Sequence, residues 1–183
     1  GGATTVQLRE KDCPAGEFVD LAIRLKTVLA PYGVPLIIND RVDVALASGA
    51  DGVHVGQSDM PYRMARRMMG PDRIIGLSVE NMEDIREANL LDVDYIGVSP
   101  VFSTSTKTDT AVPFGLDGLR EAVGLSVHPV VAIGGMNEST AGGVMACGAD
   151  GIAVVSAIVS SVSPREASER LKSIVSVGWK GRI

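Results

Sequence analysis

Cysteine, histidine, tryptophan and net positive charge are all scarce in this 183-residue chain. Its two cysteines, Cys13 and Cys147, cannot make a disulfide framework, and no C-x-x-C pairs them around zinc. Such usage fits a reducing compartment, the cytoplasm. Aromatics make up 4% of residues, too few for base-stacking platforms. Lys and Arg number 17 against 22 Asp and Glu, a balance of −5, which argues against nucleic acid as a partner. The longest nearly apolar stretch, Gly151–Ile158, falls far below the ~20 residues of a bilayer span, so no membrane partner is expected. No charged, apolar leader opens the chain, so no secretory signal is read there. What remains, 45% apolar and 21% charged residues, is ordinary globular composition in one domain spanning residues 1–183.

Short apolar runs recur at Thr5–Leu8, Val34–Ile38, Gly52–Val55, Ile74–Leu77, Tyr95–Val98, Pro129–Ile133 and Gly151–Val155. They are rich in Val and Ile and show little polar alternation, the signature of strands buried on both faces of a parallel sheet. Segments of helical spacing lie between them, at Glu17–Leu29, Arg41–Ala47, Pro61–Met69, Asn81–Leu91, Asp117–Val123, Glu138–Cys147 and Arg165–Val175. Asn81 is placed to cap its helix. Met60, Met64, Met68 and Met69 read as a helix packing face. The strings GADGV (Gly49–Val53) and GADGI (Gly148–Ile152) echo one another as helix stop, turn and strand. The expected class is α/β, a (β/α)8 TIM barrel. With seven strands counted, its first strand and helix are expected to precede Gly1. An open doubly wound sheet is the alternative, although no G-x-G-x-x-G opens a helix after a strand.

Chemistry in such barrels sits just beyond the strands' C-terminal ends. Asp40 and Asp59 end neighbouring strands, and two carboxylates there can share a hard cation such as Mg²⁺; alternatively each caps the helix that follows it. Gly134-Gly135 lets backbone approach a ligand, and its N–H groups, with those near Ser156, suit an anion; alternatively the glycines only make a tight turn. Arg9, Lys11 and Lys107 bring positive charge to the same rim, which suits a diphosphate; alternatively any one of them is a solvated surface charge. The hydroxyl-rich stretch Ser103–Thr108 suits a phosphate clamp or is a plain surface loop. His54 and His128 show no Ser, Asp or Cys partner along the sequence, so both read as structural, with no triad and no zinc.

Taken as a set, VQLREK (Val6–Lys11), LIINDR (Leu36–Arg41), GADGVHVGQSD (Gly49–Asp59), GLS (Gly76–Ser78), DYIGVSPVFSTSTK (Asp94–Lys107), VVAIGGMN (Val130–Asn137) and GADGIAVVSAI (Gly148–Ile158) resemble the thiamine-phosphate synthase family. The resemblance runs from Thr5 to about Leu171. It implies a (β/α)8 barrel and a Mg²⁺-assisted transferase. Such an enzyme couples 4-amino-5-hydroxymethyl-2-methylpyrimidine diphosphate with 4-methyl-5-(2-phosphoethyl)thiazole, or its carboxylated form. The products are thiamine phosphate and pyrophosphate.

Matched motif by motif, the family pattern implies that Gln7, Leu8, Arg9, Glu10 and Lys11 line the pyrimidine diphosphate site with Asn39, Ser78 and Lys107. Asp40 and Asp59 would hold Mg²⁺. Thr104, Ser105 and Thr106, with Gly135, Val155 and Ser156, would hold the thiazole phosphate. Lys11, Lys107 and Ser78 take the catalytic roles in a dissociative substitution. Pyrophosphate leaves first, and the thiazole nitrogen then attacks a pyrimidine cation. A homo-oligomer is compatible with the family.

Ser99, Val79-Glu80 and Phe114 depart from the family's usual residues and leave the metal and phosphate positions intact. A thiazole tautomerase-like isomerase and a non-catalytic binder of thiamine-pathway phosphates are the competing functions. Retention of Asp40, Asp59 and the Lys107 loop favours the transferase.

Overall fold

The computed structural model describes residues 1–103 and 112–179. The chain divides into two compact units, Ala3–Ser78 and Gly1–Gly2 with Val79–Ile183. The first contains β1 (Val6–Leu8), α1 (Ala15–Leu29), a 3₁₀ turn (Ala30–Tyr32), β2 (Leu36–Asn39), α2 (Val42–Ser48), β3 (Gly52–Val55), α3 (Tyr62–Met69) and β4 (Ile74–Val79). All but the last residue of β4 lie in this unit. Val6 pairs with Leu36, Ile38 with Val53 and Val53 with Ile75, all in parallel register. Each residue of β2 and β3 is buried, as their unbroken apolar character requires of strands covered on both faces. Phe18 and Ala22 of α1, Val42 and Ala45 of α2, and Ala65 and Met69 of α3 are buried with them.

The methionine face expected on α3 is corrected here. Helical geometry aligns Tyr62, Ala65 and Met69 on the inward side, where they are buried. Met64 and Met68 fall between those positions and are 46% and 45% exposed.

The second unit contains α4 (Met82–Ala88), β5 (Tyr95–Val98), α5 (Gly115–Leu125), β6 (Val130–Ile133), α6 (Glu138–Ala146), β7 (Gly151–Ala153), α7 (Ser156–Val159) and α8 (Pro164–Gly178). β5, β6 and β7 are again parallel, with Ile96 against Val130 and Ala132 against Ile152. β7 ends two residues before the apolar run does, because its ladder with β6 stops at Ala153 and Val155 turns to φ −119°, ψ −81°. α4 also ends earlier than its sequence pattern. Leu90 and Leu91 donate to Glu87 and Ala88, three residues back, so the last turn tightens.

The echoed GADG strings have a common mechanical cause. Asp51 receives the Leu36 N–H on its carboxylate at 2.9 Å and returns its own N–H to the Leu36 carbonyl at 2.9 Å. Asp150 does the same with Val130, at 2.8 Å in both directions. Each Asp therefore ties the start of its own strand to the start of the preceding one. A side-chain acceptor takes the first N–H that the ladder leaves over.

Asn81 caps α4 as expected, its side-chain oxygen accepting the N–H groups of Glu83 and Asp84 at 2.9 Å. Asn81→Ala leaves both donors to water, at a cost of about 1 kcal/mol. Thermal unfolding followed by circular dichroism should show a fall of roughly 2–4 °C. Among the described residues, no helix is long and apolar enough to cross a membrane.

Candidate functional site

In the unit Ala3–Ser78, the ends of β1 to β4 bring the polar residues of four strands into one register. Asp40 follows β2 with φ +61°, among the described residues the one non-glycine in the left-handed region. Its N–H donates to the His54 carbonyl at 2.8 Å, while the next N–H, of Arg41, reaches back to the Asn39 carbonyl at 2.7 Å. A three-residue turn thus carries Asp40, in a conformation that costs energy in any residue with a Cβ. Asp59 sits in another tight turn. Its carboxylate accepts the Gly56 N–H at 2.7 Å and its N–H donates to the Gly56 carbonyl at 3.2 Å.

The two carboxyls interact with one another. Burial first, and then Asp40, raise the Asp59 pKa above the ordinary carboxylate range, with Lys11 pulling the other way. Lys11 Nζ lies 3.0 Å from Asp40 Oδ2. Capping, the alternative role for both acids, does not occur. Arg41 and Pro61 occupy the N-cap positions of α2 and α3, and neither helix has a side-chain cap.

An interacting acid pair of this kind suits a divalent cation. Two carboxylates supply hard oxygens and relieve their mutual repulsion on binding, and a Mg²⁺ ion fills its other positions with water or substrate oxygens. Among the described residues no group of three or more acidic, His or Cys side chains gathers for a metal. Gln7, Arg9, Glu10 and Lys11 are exposed and Leu8 is half-buried, while Asn39 is buried at the end of β2.

His54 is not partnerless, contrary to the sequence expectation. Its Nε2 lies 2.8 Å from Ser78 Oγ. Parallel pairing sets His54 against Gly76, and Ser78 stands two residues further along β4 on the same face. His54 is 4% exposed, and burial pushes its pKa down to about 4 against the upward pull of Asp40. The ring is neutral at physiological pH. The Gln57 side chain donates to the Ser78 carbonyl at 2.7 Å, which holds the residue from its other side. The second histidine, His128, is structural as expected, its Nε2 lying 3.0 Å from the Ala88 carbonyl oxygen.

In the other unit, Gly134 and Gly135 have φ +98° and +67°, a backbone only glycine adopts without strain. The space beside them is filled by protein. A Cβ on Gly134 would lie 2.8 Å from Pro100 Cβ, and one on Gly135 would lie 2.7 Å from Phe102 Cβ. The close approach read in the sequence is therefore by the segment after β5, fastened by Val101 N–H to Ile133 at 2.8 Å and Phe102 N–H to Gly134 at 3.2 Å. The returning chain is clasped there too, with the N–H groups of Phe114 and Gly115 donating to Pro100 and Val101, both at 2.9 Å. Val155 and Ser156 are exposed where β7 passes into α7. Thr104, Ser105, Thr106 and Lys107 lie outside the described residues.

Comparison with known proteins is consistent across sequence and structure. Residues 1–158 match the family model described as thiamine monophosphate synthase. A thiamine-phosphate synthase of Albidiferax ferrireducens is 53% identical over 175 residues, 96% of this chain and 80% of that protein. One from Vibrio parahaemolyticus is 50% identical, covering 96% of this chain and 86% of that protein. The structure of a thiamine phosphate pyrophosphorylase from Pyrococcus furiosus superposes with a TM-score of 0.90 at 42% identity, over 97% of this chain and 85% of that one. A 3-hexulose-6-phosphate synthase, 17% identical with a TM-score of 0.71, shares the fold alone. These likenesses bear out the expected α/β architecture of the TIM-barrel type.

Proposed function

The chain belongs to the thiamine monophosphate synthase family, and on that premise we propose that it is a transferase joining a pyrimidine diphosphate to a thiazole phosphate. Thiamine phosphate and pyrophosphate are the products. The observation that carries this is the Asp40–Asp59 pair with Lys11 beside it, an assembly suited to a leaving group that departs with a large negative charge.

Asp40 and Asp59 would hold Mg²⁺, which supplies charge neutralisation to the diphosphate. Gln7, Leu8, Arg9, Glu10, Lys11, Asn39 and Ser78 bind and orient the pyrimidine diphosphate. Lys11 donates to the departing pyrophosphate, and Lys107 adds a second cation. Ser78 offers its hydroxyl to the same substrate. Gly135, Val155 and Ser156, with Thr104, Ser105 and Thr106, hold the thiazole phosphate, whose ring nitrogen attacks the pyrimidine carbon once the leaving group has gone. The reaction needs little proton transfer, and His54 is buried away from solvent. Rate comes from positioning and from stabilising charge on the leaving group. Two cysteines, both free, support a cytoplasmic setting.

The folded protein mixed with MgCl₂ and both substrates should release pyrophosphate in step with thiamine phosphate, measured by a coupled phosphate assay and by fluorescence of the oxidised thiamine product. A tautomerase-like isomerase would convert the thiazole without releasing pyrophosphate. A non-catalytic binder would take up ligand and form no product. Either result in a protein with native circular dichroism would overturn the transferase assignment.

A further inference from the structure

His54 has no role in the chemistry set out above, yet it is among the few polar side chains buried in the molecule. Its side chain approaches Ser78 Oγ, on a residue assigned to substrate, at 2.8 Å. A serine hydroxyl is a free rotor that can donate or accept in several directions. A neutral imidazole nitrogen at hydrogen-bond distance fixes that rotor. Gln57 fixes the Ser78 backbone at the same time, from its carbonyl.

We propose that His54 is a positioning residue that sets the Ser78 hydroxyl for the diphosphate-bearing substrate. The role rests on the assignment of Ser78 to that substrate under the transferase reading. The proposed role of the His54 side chain runs through Ser78. Its backbone carbonyl separately anchors the Asp40 N–H at 2.8 Å, and that bond survives any change of side chain. The two connections can therefore be told apart by experiment.

The test is a double-mutant cycle of His54→Phe and Ser78→Ala, read as kcat/KM for the pyrimidine diphosphate. His54→Phe should lower it about tenfold, the loss of one hydrogen bond to a group that must stay oriented. In the Ser78→Ala background the same change should cost nothing further. The KM for thiazole phosphate and the Mg²⁺ concentration for half-maximal rate should stay at wild-type values, which a general loosening of the strand would not allow. His54→Gln, which returns a polar group near Ser78, should recover part of the loss. His54→Asn serves in the cycle if the phenylalanine variant does not fold.

Equal losses in both backgrounds, or a wild-type rate for His54→Phe, would overturn the proposal. The same four proteins titrated calorimetrically with pyrophosphate in MgCl₂ give the coupling without turnover. Absence of product from the wild type would thus sink the transferase reading while His54–Ser78 coupling in pyrophosphate affinity still stands or falls by itself.

Discussion

Asp59→Asn should lower kcat about 10³-fold and remove its dependence on Mg²⁺, while raising the melting temperature of the protein in EDTA. The catalytic loss follows from taking one of two carboxylates out of a shared cation site. The gain in stability follows from the same geometry. Burial and the neighbouring Asp40 raise the Asp59 pKa in the folded chain. The native state therefore holds that proton more tightly than the unfolded state does, and stability falls as pH rises from the ordinary aspartate range through the raised value. At neutral pH the ionised side chain is a burden, and asparagine lifts it. The amide oxygen can still accept the Gly56 N–H that Asp59 receives at 2.7 Å.

Adding MgCl₂ should stabilise the wild type by mass action, because a ligand of the native state draws the equilibrium toward it. The asparagine variant should not respond. Activity titrated against Mg²⁺, and melting curves with and without it, check the two halves. Unchanged metal dependence would remove Asp59 from the site, and a melting temperature below wild type would contradict the electrostatic account. This trade between function and stability is expected where like charges are gathered for a ligand.

The acidic pair was legible in the sequence because it needed only two facts: that each Asp follows closely on an apolar run, and that consecutive parallel strands lie side by side. β2 and β3 were legible for the same reason, their Val and Ile content reporting burial on both faces. The His54–Ser78 contact was not. It joins residues 24 apart through the register of β3 on β4, and a slip of one residue would turn either side chain to the other face. Knowing that both were strands did not settle that register.

The glycine pair after β6 shows a different limit. Positive φ was a fair expectation for Gly134-Gly135, but what approaches them is decided by the path of the segment from Pro100 to Phe102, which no local pattern encodes. On α3, four methionines within ten residues looked like one face, and only the helical phase separates the buried Met69 from the exposed Met64 and Met68. The motif resemblance supplied the substrates. Spacing and charge alone reached an anion site and a cation, and chemistry of that generality fits many phosphate-handling barrels.

The echoed GADG strings give the largest expected effect on stability, and they give it asymmetrically. Gly52 and Gly151 hold the same place in the echo, each the first residue of its strand. Gly52 Cα is pressed between its neighbours. An added Cβ would run into the Ile74 carbonyl oxygen, and would stand 2.7 Å from Ile74 Cβ and 2.8 Å from Ile37 Cδ1. The first of these is backbone, so no rotamer change relieves it. β3 would have to part from β4 at the point where Gly52 pairs with Ile74.

Gly52→Ala should therefore cost about 3–5 kcal/mol, a fall in melting temperature of roughly 10 °C in a chain of this size. It should also lower activity in the fraction that stays folded, because His54 rides on the same strand. A Cβ at Gly151 meets nothing within 4 Å, so Gly151→Ala should stay within about 1 kcal/mol of wild type, on the stabilising side, since alanine has less backbone freedom to lose. Urea titrations of the two variants, followed by circular dichroism, compare them directly. Equal midpoints would show that the steric wall at Gly52 gives way. A collapse of Gly151→Ala would show instead that the echo marks a shared need for glycine rather than a shared need for the aspartate before it.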